Sequence, residues 1–246
     1  VVNFTATDMW LEKRVVAGTG NFVACTLGTT ADANTDADGV TTWTAPLRYQ
    51  WYFNNNTPQN KVDTVKQLIE LAANRVAGFW GQKTCNPKYI YCESEEDFKK
   101  YGSPYSVPAL THIKLGAYIV ISNEGIDLDI IAHEIAHAEF YERLGFYNWS
   151  FKIPSWFDEG LAMQNDNRDY YSEDTLKARS NNYKNLPDIK KLKSGKQFNE
   201  EGTHEQIMLN FMTARLEVKN WYTKEKLDKL IKDINAGKSF DEAFGK

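Results

Sequence analysis

Residues 133–137 read His-Glu-Ile-Ala-His, and this short segment holds the side chains best suited to chemistry. Four residues along an α-helix turn by about 400°, so His133 and His137 share one helix face, one turn apart. Two imidazoles in this arrangement can bind a single metal ion, typically zinc. Glu134 lies beside them and can act as a general base on a metal-activated water without being a ligand.

The same five residues also fit a plainer interpretation, an amphipathic helix whose histidines sit at a polar boundary. The chain has four histidines, which gives a chance match to the motif odds of roughly 1 in 200. The setting favours the metal site, because the motif lies in the middle of a predicted helix from Leu128 to Leu144. Asp127 is the expected N-cap of that helix and Gly145 the expected closing residue.

A catalytic zinc site needs a third protein ligand and one open position. The metzincin pattern would place Gly at 140 and His at 143, but the chain has Phe140 and Arg143 there. Glu159 is the candidate instead, on a second predicted helix, Ser155 to Gln164, with 21 residues between it and His137. Its neighbours are Trp-Phe before it and Gly-Leu-Ala after it, an apolar setting in which an unpaired carboxylate is costly and a bound metal removes that cost.

The pair His-Glu-x-x-His and Trp-Phe-Asp-Glu-Gly-Leu-Ala resembles the gluzincin clan of zinc peptidases, in particular the peptidase MA-like group. The match is close over residues 127–165 and looser over the rest of 61–246, including the end of the chain. The resemblance implies one zinc ion per chain, with His133, His137 and Glu159 as ligands and Glu134 as the general base. It also implies hydrolysis of peptide bonds in a peptide or protein substrate.

The chain departs from the gluzincin pattern at the carboxylate that orients a zinc-bound histidine. The thermolysin branch has Asp four residues after the glutamate ligand, and this chain has Met163 there. Asp158 and Asp129 are the alternatives for that role.

The family also uses a downstream Tyr or His to stabilise the oxyanion of the tetrahedral intermediate. His204, at the start of a predicted helix, is the first candidate here, with Tyr171 and Tyr183 as alternatives. A plain surface histidine is the competing interpretation of His204. By analogy with the family, segment 109–122 is expected to include an edge strand that binds the substrate as an added strand.

The expected fold is α+β and zincin-like, of the thermolysin type, with the cleft between two lobes. The mixed N-terminal lobe covers about 61–145 and includes strands at Lys88–Cys92 and within 109–122, and the helical C-terminal lobe covers about 146–246. Residues 1–60 form a separate Thr- and Asn-rich, partly β segment whose role the sequence does not indicate.

Composition narrows the classes of partner. Hydrophobic residues make up 42% of the 246 residues, enough for a sizeable core without a structural metal. A net charge of −4 without a basic block argues against nucleic acid. No apolar run is long enough to span a bilayer.

Three kinds of sequence feature bear on localisation. The chain begins with Val, and three Asn-x-Ser/Thr triplets begin at Asn3, Asn55 and Asn148. Cys85 and Cys92 either pair in an oxidising compartment or remain free thiols. Together these features favour an extracytoplasmic or secreted protein.

A second function remains open at this point, a non-catalytic binding or interaction module on a zincin scaffold. Glu134 argues against it, since a structural metal site has no use for that carboxylate. A structural zinc site is also usually closed by four ligands, often cysteines, and no cysteine lies near the motif.

Overall fold

A computed structural model describes residues 22–25, 50–105, 107–113 and 116–245. Most of the predicted 1–60 segment lies outside these ranges. The strands are β1 (Phe22–Cys25), β2 (Gln50–Asn54), β3 (Lys88–Cys92), β4 (Ala109–Ile113) and β5 (Ala117–Ser122). They form one mixed sheet in the order β1-β2-β3-β5-β4. The inner strands β2, β3 and β5 run parallel to one another, whereas the outer strands β1 and β4 are antiparallel to the inner strands beside them.

Alternating side chains divide the sheet between two cores, because successive residues of a strand point to opposite faces. On β3, Tyr89 and Tyr91 belong to the larger core, whereas Ile90 and Cys92 belong to the smaller one. The larger core also contains Cys85, so Cys85 and Cys92 lie in separate clusters. Both are free thiols, and the disulfide left open by the sequence does not form.

The helices follow mainly after the sheet, which confirms the predicted α+β class with a mostly helical C-terminal part. Their bounds are α1 Gln59–Trp80, α2 Glu95–Tyr101, α3 Leu128–Lys152, α4 Ser155–Ala162, α5 Glu173–Arg179, α6 Gly195–Asn199, α7 His204–Trp221, α8 Lys224–Asn235 and α9 Phe240–Phe244. No helix of the described residues is long and apolar enough to cross a membrane.

Helix α3 carries the His-Glu-x-x-His motif through the middle of the molecule. Asp127 caps it as predicted, since its Oδ1 accepts hydrogen bonds from the amides of Asp129 and Ile130. The predicted end at Gly145 is only partly right. Gly145 has φ 73° and ψ 164°, which breaks the helical path, but helical residues resume and continue to Lys152. A left-handed φ is readily available to glycine, so the chain turns there without ending the helical segment.

Helix α4 packs against α7 at a distance set by Gly160. A Cβ atom on Gly160 would lie 2.7 Å from the carbonyl oxygen of Ala214 and 2.6 Å from Cγ2 of Val218, closer than real contacts allow. The two helix backbones therefore approach closely here, and Phe157 and Leu161 are buried beside them. This packing fixes the position of the residue next to Gly160, which is Glu159.

Candidate metal centre

The two histidines of α3 point their ring nitrogens at one another. Nε2 of His133 and Nε2 of His137 are 3.1 Å apart, and the two residues are 8% and 9% exposed. Without a cation only one proton can lie between these nitrogens. The helix thus presents two nearly buried nitrogen lone-pair positions to the same point.

Glu159 completes this group from α4. Its Oε2 lies 3.3 Å from Nε2 of His133 and 3.5 Å from Nε2 of His137. Zinc bonds of about 2.0–2.1 Å at the tetrahedral angle would separate ligand atoms by about 3.4 Å. The three atoms therefore already have the spacing of three corners of a zinc tetrahedron, and these residues can hold a metal ion. The two histidines and one carboxylate also match a donor set that zinc commonly accepts.

A carboxylate lies near the Nδ1 atom of each of these two histidines. Oδ2 of Asp158 lies 3.1 Å from Nδ1 of His137, and Oδ2 of Asp166 lies 3.9 Å from Nδ1 of His133. Neither contact has the alignment of a full hydrogen bond. Carboxylates in these places fix ring orientation and raise the basicity of the ligating nitrogen.

Of the two residues expected for the orienting role, only Asp158 reaches a histidine. Asp129 instead pairs with Arg75 and accepts a hydrogen bond from the amide of Asn167. Asp166 was not anticipated. It is fully buried, and Arg168 donates to both of its carboxylate oxygens.

The charges of the centre are mutually dependent. Burial on its own would lower the pKa of His137, but the carboxylates of Asp158 and Glu159 outweigh it and raise that pKa well above the ordinary value. Burial would raise the pKa of Glu159, but His137 and His133 bring it far below its usual range. In the metal-free protein a proton therefore takes part of the role that a cation would fill.

Glu134 lies at the edge of the cleft and does not join the three ligand atoms. It is 9% exposed. The hydroxyl of Thr111 on β4 lies 2.7 Å from its Oε2 and 2.9 Å from its backbone oxygen. The predicted base is thus close to the histidines and separately held.

Two cavities meet at the centre, with volumes of about 570 and 600 Å³. Both are lined by Ala109 of β4, by His133 and by Glu134. The first also contains His137 and Glu159, while the second extends towards Tyr171 and His204. A cleft therefore runs past the metal centre in two directions.

The three candidates for oxyanion stabilisation fall in different places. Tyr171 and His204 line the second cavity. Tyr183 instead donates a hydrogen bond to Glu173 and lines neither of the two cavities. The remaining histidine, His112 on β4, has its Nε2 2.9 Å from the carbonyl oxygen of Gly102.

Sequence reasoning missed Asp166, Arg168, Thr111 and Asn199. Nδ2 of Asn199 donates to Oε1 of Glu159 at 3.4 Å. These residues come from loops and from separate elements, so no regular spacing marks them. The one available signal was the missing aspartate at position 163, which implied that a carboxylate from elsewhere must take its place.

Comparison with protein-family models and with curated proteins found no match to the chain. The metal centre therefore rests on its own geometry.

Proposed function

We propose that this chain is a zinc-dependent peptidase with a zincin-like fold, in which His133, His137 and Glu159 hold one zinc ion. The observation that supports this most strongly is the 3.1–3.5 Å triangle of ligand atoms drawn from two separate helices. Zinc bound there would supply Lewis acidity, polarising a substrate carbonyl and lowering the pKa of a water towards about 7. Protein groups within reach supply the remaining chemistry.

Glu134 acts as the general base in this proposal. Its carboxylate takes a proton from the attacking water and then delivers it to the leaving amine nitrogen. It is suited to this task because it borders both cavities and is not one of the three convergent ligand groups.

Tyr171 and His204 are the proposed donors to the developing oxyanion. Burial raises the pKa of Tyr171 to about 12, even though Arg168 opposes the shift, so the phenol keeps its proton at neutral pH. The Arg168 guanidinium also lies 5.1 Å from the Tyr171 ring centroid, which restrains the ring. His204 is exposed at the start of α7, so Tyr171 is the better enclosed of the two.

Strand β4 is the proposed docking strand for a peptide. It lies at the end of the sheet order and lines the cleft. Residues Pro108 and Ser122 form a hydrogen-bonded pair, since the Ser122 amide donates to the Pro108 carbonyl. In an antiparallel ladder such pairs alternate with pairs whose backbone groups face outward. Ala109, Thr111 and Ile113 therefore offer outward amides and carbonyls to an added strand.

The expected lobes at about 61–145 and 146–246, and export from the cytoplasm, are part of the same proposal. The cleft lies between sheet-associated elements, β4 and α3, and later helices, α4 and α7.

Metal content tests the proposal first. Purified wild-type protein should contain about one zinc per chain by elemental mass spectrometry, and His137→Ala should lose it. If the wild type binds no zinc after reconstitution, the peptidase proposal is wrong and the binding-module alternative gains support. If zinc is present, turnover of a mixed fluorogenic peptide library, with Glu134→Gln as the blank, tests catalysis itself.

A further inference from the structure

Thr111 contacts Glu134 through two atoms of that residue. Its hydroxyl lies 2.7 Å from the carboxylate Oε2 and 2.9 Å from the backbone oxygen. A threonine hydroxyl has one proton, so it donates to one of these acceptors at a time or shares the proton between them. Within the described part of the chain, this is the hydrogen bond that ties the Glu134 carboxylate to another element.

We propose that Thr111 is a positioning residue for the general base, an inference that rests on the proposed peptidase function. An unrestrained glutamate samples several rotamers, and a base must stay within hydrogen-bond reach of the proton that it removes. A donor on the sheet edge selects one orientation of the Glu134 carboxylate. Its second contact, to the Glu134 backbone oxygen, fixes α3 against β4 at the same point.

The place of Thr111 in β4 gives this contact a further consequence. Thr111 pairs with Ile119 of β5 in a position whose backbone amide and carbonyl face the open edge. The same residue therefore offers main-chain groups to a docked peptide and a side chain to Glu134. The distance between the substrate backbone and the base is then set by a single residue.

A purely structural threonine provides the matched control. The hydroxyl of Thr64 on α1 donates to the backbone oxygen of Asn60 at 2.9 Å, which resembles the second contact of Thr111. Thr64 is exposed and lines neither cavity of the cleft. Thr64→Val thus removes the same kind of hydroxyl without touching a carboxylate.

A double-mutant cycle between positions 111 and 134 tests the proposal. The probe is acetohydroxamic acid, a small zinc-binding acid that passes its proton to the Glu134 carboxylate when it binds, titrated calorimetrically into the zinc-loaded variants. Thr111→Val should weaken its binding about tenfold, in line with the loss of one hydrogen bond to a charged group. In the Glu134→Gln background the same substitution should change the affinity less than twofold. Thr111→Ser, which keeps the hydroxyl, should stay near wild type, and Thr64→Val should have no effect.

Turnover gives a second measurement. With a cleaved library peptide, Thr111→Val should lower kcat about tenfold, leave KM and zinc content unchanged, and be rescued by Thr111→Ser. If Thr111→Val has the same effect in the wild-type and Glu134→Gln backgrounds, or no effect at all, Thr111 does not position Glu134. The peptidase proposal would still be supported by the zinc-loaded wild type. A wild type that binds no zinc would overturn both.

Discussion

Glu139 and Glu159 are both enclosed carboxylates beside α3, but the protein provides Glu139 with a more complete set of hydrogen-bond partners than the Glu159 cluster has. Glu139 is 1% exposed and accepts hydrogen bonds from Thr84, from the amide of Cys85 and from Arg143. Glu159 faces two histidines whose Nδ1 atoms lack aligned hydrogen bonds. Buried polar groups are normally paired, so the first cluster is complete without a ligand, whereas the second could hold a metal ion.

The source of each low pKa shows the same difference. For Glu139, burial raises the pKa, but the hydrogen bonds from Thr84, Cys85 and Arg143 bring it below the ordinary value. For Glu159, burial also raises the pKa, but the neighbouring His137 and His133 outweigh the burial and lower it. A metal ion held by these residues would take the place of protons there. The cluster around Glu139 stabilises the fold, whereas the cluster around Glu159 can exchange the source of its positive charge.

Replacing the base should have the largest effect on function. Glu134→Gln should reduce peptide turnover by about 10² to 10⁴-fold, because general-base catalysis contributes that much, while zinc content stays at wild-type level. Steady-state kinetics and elemental analysis on the same preparation measure both. Undiminished turnover would remove Glu134 from the mechanism.

Replacing the glutamate ligand tests the incomplete cluster directly. Glu159→Ala should weaken zinc binding more than about 100-fold, beyond what loss of an outer carboxylate causes. Competition with a fluorescent zinc chelator gives the affinity. Glu142→Ala, an exposed position on α3, is the control and should leave the affinity unchanged. Retention of wild-type affinity in Glu159→Ala would exclude Glu159 from the ligand set.

The orienting carboxylates should have intermediate effects. Asp158→Asn and Asp166→Asn should each weaken zinc binding about 10–100-fold, since they support His137 and His133. Asp129→Asn should not, because Asp129 contacts Arg75 instead. The same chelator competition separates these outcomes, and a loss confined to Asp129→Asn would reverse the assignment.

A substitution in the Glu139 cluster should reduce the stability of the fold and leave zinc binding unchanged. Glu139→Gln should lower the free energy of unfolding by about 2–3 kcal/mol, because several charge-assisted bonds lose the carboxylate. The folded fraction should bind zinc normally. Urea unfolding monitored by circular dichroism measures the loss, with Glu142→Gln as the exposed comparison. A zinc affinity that falls together with stability would mean that the two clusters are coupled.

The smallest effect concerns pH. The folded-state pKa of Glu139 lies below its ordinary value of 4.5, so its stabilising contribution is present above that pH and is lost as pH falls through the folded pKa. The difference in unfolding free energy between wild type and Glu139→Gln should therefore stay constant from pH 7 to about 5 and shrink below. Urea titrations of both metal-free proteins across pH 3–7 test this, and a constant difference at all pH values would contradict it.

Much of the local structure could be predicted from sequence patterns. Lys88–Cys92 forms a strand with the predicted bounds, segment 109–122 contains two strands, and Asp127 caps α3. These features depend on short-range periodicity and capping. The continuation of α3 beyond Gly145 was missed, because whether helix resumes after a left-handed residue depends on what the next turn packs against.

The candidate site was predictable only where a local sequence pattern marks a residue. The spacing of His133 and His137 fixes their common face, and the apolar surroundings of Glu159 marked it as a candidate third ligand. Asp166 and Thr111 reach the site through a loop path and through strand pairing, which no local pattern encodes. Tyr171 and His204 both reach the cleft through tertiary packing, so the preference for His204 over Tyr171 had no basis in a local pattern.

The close approach at Gly160 also links metal affinity to the order of folding. Two of the proposed ligands lie on one helix and can meet as soon as α3 forms, whereas Glu159 is in place only when α4 rests against Ala214 of α7. If zinc binds as proposed, its tight capture would therefore follow the docking of the C-terminal helices. During synthesis, a chain that has not yet released α7 from the ribosome would hold zinc only through its two histidines and exchange it freely.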